Sequence, residues 1–100
     1  MFTGVFVQSA TEANVQFIMP SAQTYGHLMC FGPKPTAGNT DVFTVMKNGT
    51  PVATATYTIP TGGTTPVLST ITLTVAAGDL LDVHVAQGNT SGQVYWTLAP

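Results

Sequence analysis

Between Thr70 and Val85 the chain alternates so strictly that few folds can accommodate it. Ile71, Leu73 and Val75 fall on one side and Thr70, Thr72 and Thr74 on the other. After the small-residue turn Ala76-Ala77-Gly78-Asp79, Leu81, Val83 and Val85 share a side, with Leu80, Asp82 and His84 opposite. A helix would scatter these residues around its circumference. A strand sends successive side chains to opposite faces, so each run places one set in a core and the other toward solvent or a neighbour. On this pattern Asp82 and His84 stand side by side on an exposed face.

The rest of the chain repeats the theme. Alternation or turn chemistry predicts up to eight strands: 2–8, 14–19, 24–31, 41–47, 52–59, 67–75, 80–86 and 93–98. Asn48-Gly49 predicts a two-residue hairpin, because both central positions of a type I′ turn need positive φ. Gly- and Pro-rich segments at 32–39 and 60–66, and a polar one at 87–92, read as loops. Short strands separated by frequent turns are the signature of a sandwich or barrel. The expectation is one all-β domain over residues 1–100, an antiparallel β-sandwich. Eight strands would fit a jelly roll of two four-stranded sheets.

Charge sharpens the picture. Only 6% of residues are charged and the net charge is −2, against about 25% charged in an ordinary soluble domain. Lys34 and Lys47 are the only strong cations. This excludes the basic stripe that nucleic acid requires and the polybasic patch that an anionic membrane attracts. No apolar run approaches the ~20 residues of a membrane-spanning helix, so membrane insertion is not expected. The start, Met1-Phe2-Thr3-Gly4-Val5, lacks the pattern of a secretory signal, which points to synthesis in a cytoplasm. Cys30 is the single cysteine, so the fold must rest on its core rather than on an intrachain disulfide.

Chemistry-bearing residues are sparse. His27, His84, Asp79, Asp82 and Glu12 do not form a nucleophile–base–acid arrangement, and no nucleophile motif is present. His27 and Cys30 lie three apart, which in a strand puts them on opposite faces and makes a metal site improbable. Neither an enzyme nor a bound cofactor is expected, and Cys30 reads as a small buried apolar residue.

The informative residues are apolar ones on the outward side. With Leu28, Cys30, Phe43, Val45, Leu81, Val83, Val94, Trp96 and Leu98 inside, the residues Tyr25, Met29, Val42, Met46, Leu80 and Tyr95 point out. Exposed apolar patches rich in Tyr and Met mark interaction surfaces, and these six are the candidate assembly interface. A second constellation is Tyr95 with Asn39, Asn89 and Gln93 at loop ends, where an aromatic ring among amides could hold a glycan.

One stretch carries a family resemblance. A strand ending in Lys47-Asn48-Gly49 is followed by a return strand, a Thr-rich strand and then Val75-Ala76-Ala77-Gly78-Asp79-Leu80-Leu81-Asp82-Val83. The order and spacing resemble small jelly-roll modules of tailed-phage particles: head fibres, tail-fibre tips and capsid decoration proteins. They are also similar to the trimeric heads of tumour-necrosis-factor-like, complement-like and collagen-like spore-surface proteins. The match covers Asp41 to Ala86. It implies a non-enzymatic structural protein of a virion, a trimer in contact with other virion proteins, made in the host cytoplasm. A glycan- or receptor-binding module on a phage or cell surface is the alternative that the same resemblance allows, and a lone secreted or spore-surface head domain is a third.

Overall fold

The computed structural model describes residues 15–32, 34–36, 38–63, 65–87 and 94–100, together with the backbone of 2–3 and 8–9. Nine strand segments occur among them: β1 (Phe2–Thr3), β2 (Gln8–Ser9), β3 (Phe17–Ile18), β4 (Gln23–Phe31), β5 (Asp41–Lys47), β6 (Thr50–Ile59), β7 (Val67–Val75), β8 (Leu80–Gln87) and β9 (Tyr95–Ala99). No helix occurs among the described residues. All pairings are antiparallel. The protein is an all-β antiparallel sandwich, as the alternation predicts.

The two layers are unequal. One sheet runs β2-β1-β8-β5-β6, with β3 also paired to β8, and the other is β7-β4-β9. Two four-stranded layers were expected. Six segments face three because β1 and β3 both pair with β8, and only β7 and β9 join β4. From β3 to β9 the chain changes sheet at every connection except the β5–β6 hairpin.

Between the layers lies one core. Leu28 and Cys30 of β4 and Ile71, Leu73 and Val75 of β7 meet Phe43 and Val45 of β5, Ala55 and Ile59 of β6, and Leu81, Val83 and Val85 of β8. Each fully buried Val, Leu, Ile or Phe contributes about 1.5–3 kcal/mol relative to exposure. That burial holds the fold with its one cysteine unbridged. Burial in this apolar setting pushes the Cys30 thiol up to about 12, so it stays protonated and inert at neutral pH.

One end of the sandwich is latched by the two turns that the sequence makes conspicuous. Asn48 and Gly49 take φ of 54° and 79°, the left-handed pair that closes the β5–β6 hairpin. The Asn48 backbone N–H donates to the Leu80 carbonyl (2.8 Å), and its side-chain oxygen accepts from the Leu80 N–H (2.9 Å). Its side-chain amide donates to Asp79 Oδ1 (3.0 Å), while Asp79 Oδ2 accepts from the Ala76 N–H (2.8 Å). Met19 closes the set, donating to the Asp79 carbonyl and accepting from the Gly78 N–H, both at 2.8 Å. The Lys-Asn-Gly and Ala-Gly-Asp-Leu turns, distant in sequence, are thus one hydrogen-bonded unit. Their spacing is fixed by the need to meet.

Six outward assignments are corrected by the packing. A register shift between Tyr25 and His27 reverses Tyr25: it pairs with Leu73 and turns inward, packing partly buried against the core. Asp82 is fully buried and His84 half-buried, so they are not an exposed pair. Val42, Met46 and Leu80 are half-buried rather than open. On the inward side Val94 is buried as expected. Trp96 and Leu98 are only partly so, flanking the core cluster.

Candidate functional site

The outer face of the three-stranded sheet carries the site. Five large apolar residues are exposed among those described, and four of them lie here: Met29 (38%), Phe31 (43%), Leu68 (58%) and Tyr95 (48%). The register explains why they meet. Met29 stands opposite Leu68 of β7 on one side and Thr97 of β9 on the other, and Phe31 stands opposite Tyr95. Directly opposed residues on adjacent strands share a face. The four therefore form one continuous patch across β7, β4 and β9. The Phe31 and Tyr95 rings lie 5.8 Å apart at 50°, a tilted aromatic contact. Met29, Phe31, Tyr95, Trp96 and Thr97 line a shallow depression of about 100 Å³. Toward the latched end the same face turns to His27, Thr70, Thr72 and Thr74, and no Lys, Arg, Asp or Glu interrupts it.

Of the six residues expected at an interface, the structure brings two together here, Met29 and Tyr95. Tyr25 is turned into the sandwich. Val42 and Met46 lie on the opposite outer face, and Leu80 of the interior strand β8 pairs there with Ile18 of β3. Leu68 and Phe31 were missed, although Leu68 has the parity of Thr70, Thr72 and Thr74, and Phe31 that of Met29. Both signals were present in the alternation.

A second feature lies at the open side, where β9 approaches β3. Phe17 stacks on Trp96 with ring centroids 5.9 Å apart and planes at 23°. Phe17, Met19, Pro20, Tyr25, Trp96 and Leu98, with Thr97, line a groove of about 290 Å³. The Trp96 indole N–H is buried without an acceptor among the described residues. The opposite side of the sandwich is closed: the Thr54 hydroxyl of β6 donates to the Thr72 carbonyl of β7 (2.6 Å).

The glycan constellation is only partly visible. Asn89 and Gln93 lie outside the described residues. Asn39 is half-buried, and both its backbone N–H (3.0 Å) and its side-chain amide (3.1 Å) donate to the Thr36 carbonyl. That amide is committed to its own turn. Tyr95 alone offers an exposed ring, beside Phe31.

No group of three or more His, Cys, Asp or Glu that could hold a metal occurs among the described residues. His27 donates its Nδ1–H to the Pro100 carbonyl (3.0 Å), which ties β4 to the end of β9. The chemistry that this surface supports is contact: apolar burial framed by threonine hydroxyls. The chain matches no family model, no curated protein and no solved structure.

Proposed function

We propose that the protein is a non-enzymatic structural subunit that works by burying the outer face of β7, β4 and β9 against other subunits. The carrying observation is that four of the five large apolar residues exposed among the described ones occupy that one face. A patch of this kind is costly to leave in water and is typical of an interaction surface. A surface with 6% charge does little to keep copies apart.

The particle in which it acts is, on this reading, a phage-like virion, as a capsid decoration, head-fibre or tail-fibre protein. Support comes from the sheet-changing course between β3 and β9, which fits a jelly roll. The latched Asn48–Gly49 and Ala76–Asp79 turns, the residues that carry the resemblance, add to it. A homotrimer is the assembly that this resemblance favours. The test is light scattering on the purified chain, with co-sedimentation against intact capsids and tails. A stable ~10 kDa species at micromolar concentration that also fails to bind either particle would contradict the proposal.

One observation favours a second reading. The exposed Tyr95 ring beside Phe31 is a platform on which a sugar ring could stack, as a glycan- or receptor-binding module would need. A glycan array separates the two: binding abolished by Tyr95→Ala would support it.

A further inference from the structure

The three-stranded sheet has two edges, and they are treated differently. The β7 edge is covered by β6 through the Thr54–Thr72 hydrogen bond (2.6 Å). On β9, the stretch from Trp96 to Ala99 pairs with β4 on one side, and no described strand pairs with the other. Open edges are normally guarded by a charge, a proline or a bulge. Trp96-Thr97-Leu98-Ala99 has none of these. The faces beside this edge are both apolar: the patch of Met29, Phe31 and Tyr95 outside, and the groove of Phe17, Met19 and Tyr25 inside. Among the described residues the groove side is closed only at Trp96, which Phe17 of β3 stacks against (5.9 Å).

From these observations we infer that the β9 edge receives the β9 strand of a second copy of this chain, antiparallel, about a two-fold axis centred on Thr97. Opposed residues in an antiparallel pair must share a face, so an identical strand can only self-pair about a residue and not between two. Centring on Thr97 sets Trp96 of each copy opposite Leu98 of the other, on the groove side. It sets Tyr95 beside Ala99 on the outer side. Large residues meet small or flexible ones, and no charge meets its own image. Pro100 has no N–H and ends the ladder there. A two-fold contact of this kind is isologous: alone it makes a dimer, and joined to a three-fold contact through the outer face it makes a hexamer of two trimers. It goes beyond the assembly reading, which needs only the outer face and no backbone pairing.

Amide hydrogen exchange read together with mass distinguishes the two. As the protein is taken from dilute to assembling concentrations, the outward-directed amides within Trp96–Ala99 should slow at least tenfold. If mass rises while those amides exchange at an unchanged rate, the face alone carries assembly and the edge pairing is wrong. If mass never rises, both fall. Thr97→Lys and Thr97→Glu should each abolish the protection, because residue 97 faces its own copy, and an equimolar mixture of the two should restore it. A mixture as unprotected as the single variants would overturn the two-fold register. Thr97 is exposed, and unchanged melting of each variant confirms that folding is not at issue.

Discussion

The two outer faces of this sandwich are built from the same residue pool and finish differently. On the six-segment sheet the cross-strand rows read Thr58–Val42–Ala86 and Thr56–Thr44–His84, and the apolar members Val42, Met46 and Leu80 are all half-buried. On the three-stranded sheet the rows read Leu68–Met29–Thr97 and Phe31–Tyr95, with the four large apolar residues between 38% and 58% exposed. The first face is covered by its own chain apart from Ile18 of β3, which pairs with Leu80 and is 66% exposed. The other stays open among the described residues. The difference teaches that strand parity cannot report whether an outward apolar residue is covered, because that depends on what distant parts of the chain lie over it.

Replacing Phe43 by Ala should erase the comparison. Its side chain is fully buried between the sheets, and its loss should cost about 3–5 kcal/mol, most of a small domain's stability. Both faces should lose structure together in a thermal melt followed by circular dichroism. A cost below 1 kcal/mol would mean that the layers do not share one core.

Gly49→Val acts on one side only. Gly49 has φ of 79°, and a β-branched residue there is strained, so about 1–3 kcal/mol of stability should be lost. The β5–β6 hairpin belongs to the six-segment sheet. Assembly through the other face should persist wherever the variant remains folded, which light scattering below its melting temperature checks.

Acid should loosen the same end. The Ala76 N–H first, and then the Asn48 amide, hold the Asp79 carboxyl below its ordinary value. A carboxylate with a lowered folded-state pKa contributes stability that is fully present above its unfolded value, about 3.9. That contribution is lost as pH falls through the lower folded value. Melting temperature should therefore decline below about pH 4, and Asp79→Asn should flatten part of that decline. An unaltered acid profile in the variant would remove Asp79 from the latch. Smallest of all, Thr56→Lys and Thr58→Lys on the finished face should change stability by no more than about 0.5 kcal/mol and leave the mass unaltered.

Much of this architecture was legible in local pattern. The alternation at Thr70–Val85 and the Asn48-Gly49 pair predict their strands and hairpin because each depends only on adjacent residues. What escaped depends on distant ones. Tyr25 has outward parity, but the register shift beside Gly26, where Tyr25 meets Leu73 and His27 meets Thr70, turns it inward. Asp82 has outward parity and is fully buried, because its surroundings come from elsewhere in the chain. The unequal layers follow from strand order, which no local pattern encodes. Phe31 and Leu68, by contrast, are legible in the sequence: they continue the outward parity of Met29 and of Thr70, Thr72 and Thr74.

The central claim is that the face of Met29, Phe31, Leu68 and Tyr95 is where subunits meet. The direct measurement is multi-angle light scattering of the wild type beside a Phe31→Lys/Leu68→Lys double variant, at equal concentration and with melting curves recorded in parallel. The account predicts an oligomer for the wild type and a monomer with a near-unchanged melting temperature for the variant, since both side chains are already exposed. A wild type that is monomeric at micromolar concentration, or a variant that assembles as the wild type does, would contradict it.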